Sequence, residues 1–152
     1  VVMALGANAQ EKPEVYVQFG HNNKITSISF SKDGKYIATG SEDKTIKWWD
    51  ILTEREIRTI LGHSDKINSI SFSPDSRYIA SASSDNTIKI YKVERGIEYI
   101  TLTGHSGEVN SISFSPDGRH IASSSSDGTI KLWDLNTGKE IKTFNSEFFF
   151  VC

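Results

Sequence analysis

One spacing governs this chain. His21, His63 and His105 stand 42 residues apart, and so do Phe30, Phe72 and Phe114. Asp43, Asp85 and Asp127 keep the same step, as does the aromatic series Trp49, Tyr91 and Trp133. A fixed period in the forties marks a repeat architecture, in which one unit cannot bury its own apolar surfaces and must stack on neighbours. The fold must therefore be an array of equivalent units. A side chain that recurs at every step answers first to that array.

Within each copy, strand and turn signals alternate at short intervals, which predicts an all-β unit. In the second copy Lys66-Ile67-Asn68-Ser69-Ile70-Ser71-Phe72 alternates with period two, so Ile70 and Phe72 face one way and Ser69 and Ser71 the other. Ser73-Pro74-Asp75-Ser76 then turns, with Pro at a position whose φ it fixes in advance. The equivalents end in Gly34 and Gly118, so Ser76 is expected to hold a positive φ with mild strain. The second strand spans 77–83, Asp85-Asn86 makes a tight turn, and third and fourth strands follow at 87–91 and 97–102. Four short antiparallel strands per copy are expected, and no helix.

The small side chains of the first strand refine the picture. Ser27, Ser29, Ser69, Ser71, Ser111 and Ser113 would be odd choices for the middle of a thick sandwich core. They suit strands crowded near a central axis, with bulkier Ile, Phe and Trp filling wider gaps further out. That taper belongs to sheets arranged radially around a channel.

Composition narrows the function classes. A net charge of -2, with Lys and Arg scattered, gives no electrostatic footprint for nucleic acid or an anionic membrane. No apolar run approaches the roughly 18 residues that a membrane span needs. Cys152 is the sole cysteine, so no intrachain disulfide can form.

The termini carry their own expectations. Residues 1–13 read as an N-terminal tail in which Ala7-Asn8-Ala9 has the small-x-small form of a signal-peptide cleavage site. Cleavage there would place the protein outside the cytoplasm or in a periplasm; a frayed tail would leave it cytoplasmic. Ile25, Ile67 and Val109 open the first strands, and the next step lands on Val151. Residues 145–152 are therefore expected to begin a truncated fourth copy of a longer array, with a three-copy protein and an odd tail as the alternative. Glu147 stands where the next histidine would fall, and Phe148-Phe149-Phe150 is read as the approach to that copy.

Gly20-His21, Gly62-His63 and Gly104-His105 open the copies, and Trp49-Asp50 and Trp133-Asp134 close the first and third. On these residues the chain resembles the WD-repeat β-propeller family over residues 14–144, as three repeats at about 21–62, 63–104 and 105–146. The second copy departs, with Tyr91-Lys92 at the closing pair. The resemblance implies a partial propeller of three four-stranded blades. It also implies that Glu14-Val15-Tyr16-Val17-Gln18-Phe19 forms an outer strand completing another blade.

The resemblance further implies one hydrogen-bonded structural tetrad per blade: His21, Thr39, Asp43 and Trp49; His63, Ser81, Asp85 and Tyr91; His105, Ser123, Asp127 and Trp133. A buried carboxylate must be paired, and an imidazole that donates to it can hand the order on to a hydroxyl and an indole N–H. The second tetrad is expected to be the weakest. Read as catalytic triads, these residues would give one active site per repeat, which architecture explains and catalysis does not. Three histidines in three blades are also too far apart to share one ion at roughly 2 Å. No catalysis, metal or cofactor is expected.

In this family partners sit on the narrow face around the channel. By position that face offers Lys24, Thr26 and Glu42; Lys66, Asn68 and Ser84; Glu108, Asn110 and Ser126. These vary among copies while the frame stays fixed, as a recognition surface on a rigid scaffold would. The leading expectation is a non-catalytic protein-interaction scaffold, part of a larger propeller, that binds a protein or peptide and further blades of its own chain or a second copy. The alternative is the sensor or targeting region of a multidomain bacterial enzyme, a peptidase or kinase, with its catalytic domain elsewhere.

Overall fold

A computed structural model describes residues 20–145 of the chain. The expected tail, the outer strand at 14–19 and the copy expected to start at residue 145 lie, Asn145 apart, outside the described residues.

Among the described residues twelve strands form three antiparallel sheets, and there is no helix. The first sheet holds β1 (Ile25–Phe30), β2 (Tyr36–Ser41), β3 (Thr45–Asp50) and β4 (Arg55–Leu61). The second holds β5 (Ile67–Phe72), β6 (Tyr78–Ser83), β7 (Ile88–Lys92) and β8 (Ile97–Leu102). The third holds β9 (Val109–Phe114), β10 (His120–Ser125), β11 (Thr129–Asp134) and β12 (Glu140–Asn145). Within each sheet the strands lie in chain order, as short connections between antiparallel neighbours dictate.

The turns follow their residues. Gly34, Ser76 and Gly118 close the β1–β2, β5–β6 and β9–β10 connections by donating to Ser31, Ser73 and Ser115 carbonyls. All three have positive φ, and Ser76, at 57°, is the one residue of the set with a Cβ to accommodate. The structure also explains why serine is there. Its Oγ accepts the Lys32 amide of the preceding sheet at 2.8 Å. At the next junction Pro74 takes the place of Lys32 and has no N–H to satisfy, and glycine suffices opposite it, with Pro74 Cδ 3.6 Å from where a Gly118 Cβ would sit. The β2–β3 and β10–β11 connections have three residues and the β6–β7 connection four, with Lys44, Asn86 and Gly128 at equivalent places and φ of 70°, 69° and 82°. This is a turn followed by a left-handed residue, which glycine and asparagine adopt more readily than lysine.

Strict alternation fails at the start of each first strand. A register shift lies at Thr26 in β1, at Asn68 in β5 and at Asn110 in β9. The extra residue turns Ile67 onto the same side as Ile70 and Phe72, and all three are buried.

The sheets stack face to face through these residues. Ile46, Trp48 and Ile60 of the first sheet pack on Ile67, Ile70 and Phe72 of the second. Ile88, Ile90 and Leu102 pack in turn on Val109 and Ile112 of the third. Each fully buried isoleucine contributes roughly 2 kcal/mol relative to exposure, so the two interfaces hold most of the apolar stabilisation. The first strands converge, β1 against β5 and β5 against β9.

Their serines do more than save space. The Ile70 and Phe72 amides donate to Ser27 and Ser29 Oγ, both at 3.0 Å, and the Ile112 amide to Ser69 Oγ at 3.3 Å. A first strand is an edge of its sheet and needs partners for its outward amides. The preceding sheet supplies them.

Candidate functional site

Three copies of one hydrogen-bonded chain sit where the first strands begin and the second connections turn. In the first sheet His21 Nδ1 lies 2.9 Å from Asp43 Oδ2, and His21 Nε2 lies 2.7 Å from Thr39 Oγ1. Trp49 Nε1 donates to Thr39 Oγ1 at 2.9 Å. In the third sheet the distances are 2.8 Å for His105–Asp127, 2.8 Å for His105–Ser123 and 2.8 Å for Trp133–Ser123. The second sheet has His63–Asp85 at 2.9 Å and His63–Ser81 at 2.7 Å.

Donor chemistry fixes the direction of each chain. A carboxylate only accepts, so a proton sits on Nδ1; in the neutral ring Nε2 then accepts from the hydroxyl, whose oxygen in the first and third chains accepts the indole N–H. The result is a one-way relay from Trp through Ser or Thr to His and Asp.

The aspartates are the anchors. Asp127 Oδ1 accepts from the Thr129 amide and hydroxyl, and Oδ2 from His105 and the Ser106 amide. Burial alone would raise the Asp43 carboxyl, but donors from Thr45, the Asn22 amide and His21 outweigh it and hold its pKa at about 2. The same opposition, won by Thr87, His63 and the Ser64 amide, holds Asp85 at about 2. Asp127 lies well below the usual carboxylate range, because Thr129, His105 and Ser106 overcome its burial. Burial also holds the His63 imidazole below its ordinary value, against the pull of Asp85.

Tyr91 breaks the pattern. Its ring fills the place of Trp49 and Trp133, but its hydroxyl is buried without a hydrogen bond. The oxygen lies over Gly62, where an added Cβ would stand only 2.2 Å from it. Burial and the nearby Glu98 charge push the phenol pKa up; Ser81 is near enough to offset part of that rise. Tyr91→Phe removes an orphaned polar atom and is expected to raise stability by about 1 kcal/mol. A lower melting temperature in that variant would mean that the hydroxyl does have a partner.

A second repeated network was not read from the sequence. Lys47 Nζ bonds Glu56 Oε2 and Thr59 Oγ1, both at 2.7 Å, and Thr59 Oγ1 donates to Glu56. Lys89, Glu98 and Thr101 repeat it, as do Lys131, Glu140 and Thr143. Each set ties a third strand to a fourth. The same 42-residue step carries all nine residues and was the available signal.

The expected face residues are gathered by backbone bonds at the same end as the aspartates. The Glu42 amide donates to Lys24 O at 2.9 Å, the Ser84 amide to Lys66 O at 3.0 Å and the Ser126 amide to Glu108 O at 2.9 Å. Side chains link neighbouring trios: Ser84 Oγ donates to Glu108 Oε2 at 2.8 Å, and Lys66 Nζ is 3.7 Å from the same oxygen. Lys24 pairs with Glu42 at 3.7 Å. Thr26 and Asn68 are engaged differently. Thr26 Oγ1 donates to Ile67 O at 2.6 Å and Asn68 Nδ2 to Val109 O at 3.0 Å, each reaching the next sheet. Their polar tips brace the frame; Asn68 Nδ2 also bonds Ser84 Oγ at 3.0 Å, and Asn110 Nδ2 bonds Ser126 Oγ in the same way. Among the described residues, no cluster of three or more His, Cys, Asp or Glu is placed to hold a metal, and no helix is long and apolar enough to cross a membrane.

Residues 12–50, 54–92 and 96–134 each match the WD domain, G-beta repeat family. The chain belongs to the WD-repeat family. Its three blades are consecutive WD repeats, and the relays above are the internal ties of those repeats. Among curated proteins it is similar to the ribosome biogenesis protein BOP1 homologs of Drosophila virilis and Drosophila grimshawi, each 49% identical over 47 residues. The Drosophila melanogaster homolog is 47% identical over the same length. In each case the match covers 31% of this chain and 6% of the relative.

Proposed function

We propose that this chain is a non-catalytic protein-interaction scaffold whose narrow-face residues receive a protein or peptide segment. The observation that supports this most strongly is the contrast between frame and face. Relay, lysine network and inter-blade serines repeat at a fixed step, while the residues bonded beside each aspartate turn change from Lys and Glu to Lys and Ser to Glu and Ser. A stiff frame with a varied polar rim binds with little ordering cost. Lys66, Ser84, Glu108 and Ser126 form the continuous part of that rim and are the proposed contact residues. Membership of the WD-repeat family supports interaction over chemistry at this coarse level, as does the likeness to proteins named for ribosome biogenesis.

Peptides selected on the intact chain from a random displayed library provide the test, with affinity read by fluorescence anisotropy. Lys66→Ala combined with Glu108→Ala is expected to weaken the selected peptides about tenfold or more, the loss of roughly 1.4 kcal/mol. Equal affinity for the double variant would remove the face from the binding reading.

A further inference from the structure

The two junctions inside the chain are built to one plan, and the outermost blades present the two halves of that plan unjoined. The leading face of a blade consists of the first-strand residues at equivalent positions. In the second blade Ile67, Ile70 and Phe72 are 0%, 5% and 7% exposed; in the first, Ile25, Ile28 and Phe30 are 56%, 58% and 61% exposed. The trailing face consists of residues from the third and fourth strands. Ile88 and Leu102 of the second blade are 0% and 1% exposed, whereas Ile130 and Phe144 of the third are 50% and 46% exposed. Apolar patches of this kind on a soluble surface mark an interaction site.

The polar groups show the same division. At each formed junction the bulge residue reaches the next blade's first carbonyl, Thr26 to Ile67 O and Asn68 to Val109 O. The serine after it accepts an amide, Ser27 from Ile70 and Ser69 from Ile112. Asn110 and Ser111 are the third members of these series and are exposed, with no following blade among the described residues. Ile25 and Ile28, on the first blade, are the members that would receive them.

We infer that the leading face of the first blade docks on the trailing face of the third blade of a second copy, in the register already formed twice within the chain. Asn110 then bonds the partner copy at the Ile25 carbonyl, Ser111 accepts the Ile28 amide, and Ile130, Leu132 and Phe144 cover Ile25, Ile28 and Phe30. A second copy is the occupant the surface fits, because it carries at equivalent positions the faces that already join the blades within the chain. A head-to-tail contact of this type continues until the ring closes. This inference rests on blade packing and stands apart from the narrow-face reading.

Two single variants and their mixture test it by light scattering coupled to size exclusion. Ile28→Glu blocks only the leading face and Ile130→Glu only the trailing face; both positions are exposed, and circular dichroism checks that each variant stays folded. The wild type is expected to run as an assembly larger than the monomer, and each variant alone as a monomer. The equimolar mixture is expected to form a dimer that grows no further, since its two remaining faces are blocked. A wild type that stays monomeric at micromolar concentration, a mixture that fails to dimerise, or an Ile130→Glu variant that still pairs through its leading face would overturn the inference and assign the faces to another occupant.

Discussion

Replacing Asp127 with alanine is expected to cost about 3 kcal/mol, the upper part of the range for stranding buried donors, and to lower Tm by roughly 10 °C. The size follows from the number of groups left behind. The carboxylate takes four donors, from His105, Ser106 and both Thr129 groups, at 2.7–3.0 Å. Its side chain is 7% exposed, so water cannot replace them without opening the turn. Asp127→Asn is the sharper control. It keeps the shape but places an NH2 group against N–H and O–H donors that need an acceptor, and it should therefore also destabilise. A melting temperature unchanged in either variant would show that the third relay contributes nothing to the fold.

Acid should unfold this protein through the same three aspartates. Each has a folded pKa depressed below its unfolded value, so each contributes stability that is complete above the unfolded pKa and vanishes as pH falls through the folded one. For Asp43 and Asp85 that window runs from the ordinary carboxylate value of 3.8 down to about 2. Each loss is roughly 2 kcal/mol, and three together rival the whole stability of an ordinary domain. His63 acts earlier. Its folded pKa lies below 6.5 because burial favours the neutral ring, so its contribution is whole above that pH and declines on acidification. Thermal melts are expected to show a shallow decline in Tm below about pH 6.5 and a steep one below about pH 4. A Tm that holds level from pH 7 to pH 3 would contradict these assignments.

Much of the architecture is legible in the sequence because a period needs no structure to be seen. Ile70 and Phe72 announce their shared face by alternation, Gly34 and Gly118 announce a positive φ, and the His, Asp and Trp series place their own members on one chain. The bulge at Asn68 is not legible, since an inserted residue leaves no mark on a strand that still looks alternating. The serines of the first strands were read as small, which is correct, but their second use depends on a neighbour lying 43 residues away in sequence. Lys47, Lys89 and Lys131 share the 42-residue step with the histidines, yet a lysine in a strand centre reads as solvated until its Glu and Thr partners arrive from the fourth strand. Tyr91 could be seen as an odd substitute; that its hydroxyl would be buried over Gly62 without a hydrogen bond could not.

The relay's direction is the account's centre, and the tautomeric state of the three buried imidazoles tests it most directly. Long-range 1H–15N correlation should show a slowly exchanging proton on Nδ1 and a bare Nε2 in His21, His63 and His105, as the bonds to Asp and to Ser or Thr require. Imidazoles that carry the proton on Nε2, or that exchange as freely as His120, would mean that the aspartates are not held by the rings and that the blades are braced by something else.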